Sequence, residues 1–162
     1  MSNNALKLLV VLSLVSIGWM TLSCAADLKP LTVGPKDKCP VCGMFVAKYP
    51  DFTAQIRFRD GVTFHFDGAK DLFKYYVHLS RYAPGRKQAD ITAVFVTNYY
   101  DLNLVDGLTA YYVVGSNVYG PMGRELIPFV RESEARDFLK DHQGKALLRF
   151  RDVTPALLGS LD

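Results

Sequence analysis

Histidine and cysteine are scarce: the 162-residue chain has three of each. His65, His78 and His142 stand far apart, none at a close His–His ligand spacing, so a closed tetrahedral zinc site of Cys/His type is short of ligands. No block of lysine or arginine occurs and the formal net charge is only +3, which argues against nucleic acid as a partner. The apolar run from Leu8 to Leu22 is 15 residues, short for a membrane span. No Gly-rich phosphate loop and no nucleophile–base motif is present, so no catalytic residue is named and the chain reads as a non-enzyme.

That apolar run does fit a signal peptide. Lys7 precedes it, no charge follows until Asp27, and it meets the small residues Ser23-Cys24-Ala25-Ala26. Residues 1–23 are therefore expected to be removed on export. Cys24 stands where a lipoprotein signal peptidase leaves its lipidated cysteine, although Thr21 occupies the place where leucine is usual. Ordinary cleavage after Ala25 or Ala26 is the alternative. Residues 24–38, with two prolines and a glycine between Asp27 and Lys38, read as a lipid-anchored tether, and residues 39–162 as the folded domain.

Inside that domain the pattern is mixed. Ala54, Ile56 and Phe58 alternate with Gln55, Arg57 and Arg59, and after Asp60-Gly61 the residues Val62, Phe64 and Phe66 alternate with Thr63 and His65. A three-residue loop with Gly61 left-handed sets Ile56 against Phe64 and keeps one face apolar. Asp67 is placed to cap a helix running to about Leu79, with Leu72, Phe73, Tyr76 and Leu79 as its buried stripe. Strands are expected near Thr92–Thr97, Thr109–Val114, at ELIPFV and at KALLRF, with a helix near Ser133–His142. FHFDGAKDLF and IPFVRESEARDFL share an order of strand, polar cap and helix. The expected fold is α+β: two similar strand-strand-helix halves with antiparallel sheets, at about residues 39–85 and 90–155.

The chemistry centres on KCPVCGM, Lys38 to Met44. A Cys-x-x-Cys pair serves disulfide exchange, half of a structural zinc site, or a soft-metal site. Exchange sites open a helix whose N-terminus acidifies the thiol, but Pro50 closes any helix here within two turns. Cu(I) is satisfied by two or three sulfur ligands and needs no full tetrahedron. Met44 and Met122 both lie in short glycine-flanked loops rather than in periodic apolar segments, which makes each a candidate thioether ligand. On spacing alone the three readings stay open.

CPVCGMFVAKYP, AQIRFRDG and TAYYVVGSNVYGPMGRELIPF together resemble the NosL family of nitrous oxide reductase accessory lipoproteins, from about Cys39 to Phe150. The resemblance implies a lipoprotein facing the periplasm that binds Cu(I) and supplies it to apo nitrous oxide reductase or another copper acceptor. It also implies an α+β fold related to organomercurial lyase. It points to Cys39, Cys42 and Met122 as the copper-binding region, with Met44 as the lesser candidate. A thiol-disulfide oxidoreductase and a zinc-bound interaction domain are the alternatives.

Overall fold

The computed structural model describes residues 28–162. In chain order its elements are β1 (Ala54–Phe58), β2 (Thr63–Phe66), α1 (Ala69–Val77), α2 (Leu79–Tyr82), β3 (Ile91–Thr97) and β4 (Leu104–Asp106). They continue with β5 (Tyr111–Gly120), β6 (Gly123–Phe129), α3 (Glu132–Asp141), β7 (Ala146–Arg149) and α4 (Pro155–Ser160).

The two halves share one plan. A hairpin leads into a helix, and a later strand returns antiparallel to the first strand of that hairpin. The sheets accordingly run β2-β1-β3-β4 and β6-β5-β7. The expected boundary between residues 85 and 90 fails on one point. Strand β3 pairs with β1 and so belongs to the first sheet, and β4 is an edge strand that the sequence pattern did not announce.

The first hairpin has the expected register. Ile56 faces Phe64, the Phe58 N–H donates to the Val62 carbonyl at 2.8 Å, and Gly61 has φ +85°. An apolar face on β1 is incompatible with a one-residue slip, which would turn every side chain over.

Helix α1 lies between the sheets. Leu72, Phe73 and Leu79 are buried as expected, but the fully buried tyrosine is Tyr75, with Tyr76 only half-buried. A helix with packing on two sides buries more than one stripe: Tyr75 meets Phe64 and Phe66, while Phe73 meets Tyr112 of the second sheet. Strand alternation in β5 then divides the second sheet's faces, Tyr112 and Val114 packing with the α1 side and Val113 with Phe138 of α3.

Two expectations about polar residues are corrected. Residues 28–38 do not hang free as a tether. Leu31 and Gln55 exchange two hydrogen bonds, at 3.0 and 2.6 Å, and strap the segment to the sheet. Asp67 does not cap α1 either. The N-cap is Gly68, with no capping side chain of its own, and the Glu125 carboxylate from β6 accepts the Lys70 N–H at 2.5 Å instead. A Cβ at Gly68 would sit 2.2 Å from Glu125 Oε2, so a side chain there would displace this carboxyl from the helix end.

Candidate metal centre

Lys38 to Phe45 forms a tight knuckle. Lys38 and Phe45 make an antiparallel bridge, the Cys39 N–H donates to the Met44 carbonyl at 2.9 Å, and the Gly43 N–H donates to the Cys39 carbonyl at 2.9 Å. Gly43 has φ +79°, which turns the chain back on itself. The backbone N–H groups of Cys42 and Val41 draw the Cys39 thiol down, and that of Met44 the Cys42 thiol, against the larger effect of burial. Such donors favour a thiolate once one is formed. Only two three-residue 3-10 turns, Val46–Lys48 and Pro50–Phe52, follow before β1, so the helix expected of a disulfide-exchange site is absent here.

Two carboxylates complete the group. Cys39 donates its thiol hydrogen to Asp71 at 3.3 Å, and Cys42 donates to Asp67 at 3.2 Å. One ligand atom from each of Cys39, Cys42, Asp67 and Asp71 lies within 4.8 Å of the others. Cys39, Asp67 and Asp71 are buried and Cys42 forms the half-exposed edge. Asp67 Oδ2 is buried with no hydrogen-bond partner among the described residues.

Burial is the main reason that both thiols hold their protons. Cys42 is pushed up to about 12 and Cys39 higher still, with the neighbouring carboxylates adding to the effect and the backbone donors opposing it. An attacking thiol in disulfide exchange needs the opposite shift. Two buried carboxylates without a cation are costly, and an orphaned carboxylate oxygen marks where positive charge is wanted. The group can therefore receive a cation, either a soft one on the sulfurs or a borderline one on two sulfurs and two oxygens.

Both aspartates escaped the sequence reading. The sequence pattern places Asp67 as a helix cap and Asp71 only within the repeat. A signal was present: two aspartates four residues apart, one just before and one in the first turn of a helix, bring like charges close together and need a compensating reason. The histidines stay out of the group. His65 Nδ1 faces Asp37 at 3.0 Å, His142 stacks on Phe138, and His78 is exposed.

The methionines differ in setting. Met44 is half-buried within the knuckle itself. Met122 stands at the tip of the β5–β6 hairpin, 45% exposed, and its carbonyl accepts a hydrogen bond from Lys70 Nζ at 2.8 Å. Its backbone is thus tied to the first turn of α1, one residue from Asp71. Cys24 lies outside the described residues.

The family model described as NosL matches residues 30–158 of this chain. The copper-binding lipoprotein NosL of Stutzerimonas stutzeri is 30% identical over 133 residues, which cover 82% of this chain and 70% of that protein. The crystal structure of the copper chaperone NosL from Shewanella denitrificans aligns with a TM-score of 0.66 at 23% identity, covering 79% of this chain and 97% of that one. At that identity the likeness establishes a common mixed α+β fold.

Proposed function

Because this chain belongs to the NosL family, we propose that it is an exported copper-binding protein that holds Cu(I) and passes it to a periplasmic copper enzyme, nitrous oxide reductase being the acceptor that the family likeness suggests. The observation that carries this reading is the knuckle: two free cysteines brought together on one tight turn, their sulfurs in one group within 4.8 Å. Soft sulfur ligands select Cu(I). In this reading Cys39 and Cys42 bind as thiolates and Met122 adds a neutral thioether, with Met44 the weaker candidate.

Copper is cargo here, so release matters as much as capture. Cys39 is almost wholly buried, at 1% exposure, whereas Cys42 sits at the accessible edge. An incoming acceptor ligand therefore meets the metal from the Cys42 side. Cys42 leaves first and Cys39 last, by ligand exchange. Binding and delivery of this kind require no catalytic residue.

A second reading has its own observation. Asp67 and Asp71 supply the two ligands that a four-coordinate zinc site lacked in the sequence, and a Cys2Asp2 group can close a tetrahedron. Anaerobic titration of the purified protein with Cu(I), Cu(II) and Zn(II), with chelator competition, separates the two. Tight binding of about one Cu(I) in preference to zinc supports the donor role. Stronger zinc binding assigns the site to structure instead.

Attachment to the membrane through a lipidated Cys24, on the periplasmic side, completes the proposal. Since Leu31 is bonded to Gln55 of the first sheet, only residues 25–30 would separate the lipid from that contact. Lipid labelling of the intact chain should be lost in Cys24→Ala, together with membrane fractionation. An unmodified N-terminus at Ala26 or Asp27 would show simple secretion.

A further inference from the structure

We infer that Lys70 positions Met122 for the metal, holding the hairpin tip by its backbone so that the thioether is presented to the cysteine site; the inference rests on the copper reading above.

Lys70 is 2% exposed, and lysine is seldom buried unless paired. Its Nζ donates to the Met122 carbonyl at 2.8 Å and to the Leu161 carbonyl at 3.3 Å, and lies 3.7 Å from the Asp162 carboxylate. A straight apolar chain would fill the same space without desolvating a charge. What the ammonium supplies and an apolar chain would not is a grip on the carbonyl of the tip residue, tying it to the C-terminal Leu161 and Asp162 as well.

The tip needs such a grip. Strands β5 and β6 pair regularly from Tyr111 to Val114, but the register shifts before pairing resumes at Tyr119 with Arg124 and Gly120 with Gly123. Pro121 and Met122 thus sit beyond an irregularity, on a short pair of residues only loosely governed by the sheet. With its side chain 45% exposed, Met122 is not located by packing either.

The same lysine is joined to this hairpin a second time, through its backbone N–H to Glu125 at 2.5 Å. Asp71, the next residue, hydrogen-bonds Cys39. The first turn of α1 is therefore one rigid piece that touches the cysteine group with Asp71 and the methionine turn with Lys70. Outer groups that orient a metal ligand typically govern affinity by about 10–100-fold. Lys70 is a positioning residue in this sense and does not touch the metal.

A double-mutant cycle tests it on the full-length purified protein, with Cu(I) affinity read by competition against bathocuproine disulfonate. Lys70→Met should weaken Cu(I) binding about tenfold in the parent and change it by no more than about twofold in the Met122→Leu background. Lys70→Gln, which is neutral but tolerates residual polarity in the cavity, repeats the cycle should Lys70→Met fold poorly. Apo thermal midpoints identify which variants fold. Copper K-edge absorption should show one fewer sulfur scatterer in either Lys70 variant, a readout that general destabilisation does not move. Equal loss in both backgrounds, or no loss in the parent, overturns the inference while leaving the copper reading intact. If Met122→Leu alone leaves affinity unchanged, Met122 is not a ligand, and that part of the copper reading falls together with the inference.

Discussion

The Cys39 thiol donates to Asp71 at 3.3 Å, across 32 positions of sequence. A knuckle that would otherwise offer two sulfurs becomes, through this contact and its Cys42–Asp67 counterpart, a group of two sulfurs and two carboxylates.

Asparagine substitution separates what the sulfurs do from what the carboxylates do. Asp67→Asn and Asp71→Asn keep shape and hydrogen-bonding capacity but remove the charge. Each should lower Zn(II) affinity by about 10–100-fold. Cu(I) affinity should move by less than about tenfold, because soft thiolates dominate it. Competition titrations of both metals check this, and a collapse of Cu(I) binding in either variant would make the carboxylates part of the copper site.

Copper affinity should rise with pH. Burial holds Cys42 up to about 12 and Cys39 above that, so both thiols are protonated at neutral pH, and a thiol that binds metal gives up its proton. The gain is about tenfold per pH unit for one thiolate and about hundredfold for two. Affinity measured in buffers from mildly acidic to mildly basic reports how many cysteines bind, and a flat profile would exclude thiolate ligation.

Of the two methionines, Met122 is the expected ligand. Leucine keeps volume and apolarity while removing the sulfur. Met122→Leu should weaken Cu(I) binding strongly with little change in the apo thermal midpoint, and Met44→Leu should do less. The reverse order in a chelator competition would confine the site to the knuckle.

Glu125 should impose a pH dependence on stability. Complete burial pushes its carboxyl up to about 8. Between its ordinary value of 4.5 and about 8 the folded state holds a proton that the unfolded state has lost, so the favourable contribution is complete below 4.5 and declines as pH rises through that window. Glu125→Gln cannot ionise and should remove the decline. Thermal midpoints of both proteins across the window test the difference.

Gly61→Val should destabilise the fold by about 1 kcal/mol or more. Nothing lies within 4 Å of a Cβ at this position, so the loss comes from φ +85° rather than from a clash. Gly61→Asn, which tolerates left-handed backbone better, should lose less in chemical denaturation.

Much of this architecture was legible along the chain. Period-two alternation on either side of Asp60-Gly61 is compatible with only one register that keeps an apolar face, and the hairpin has it. The similarity of FHFDGAKDLF to IPFVRESEARDFL survives as two sheets with the same strand plan. Pro50, so soon after the cysteines, excluded the helix that disulfide exchange needs. These are local matters, decided by backbone dihedrals and by which side of an element is apolar.

The polar partnerships were decided by packing. Asp67 reads as a helix cap because capping is a short-range bond, and nothing in the neighbouring residues reveals that Glu125, 55 positions from Lys70, takes that place. Once α1 is pressed between two sheets, water is largely kept from the polar groups in and beside its first turn, and most draw partners from other parts of the chain. Asp67 and Asp71 thereby meet the thiols, Lys70 meets the Met122 carbonyl, and Gln55 meets Leu31. Sequence alone determined the first hairpin, the main strands and helices, and a cysteine pair with no long helix after it; the make-up of the candidate metal group came from burial, which brings distant polar atoms together.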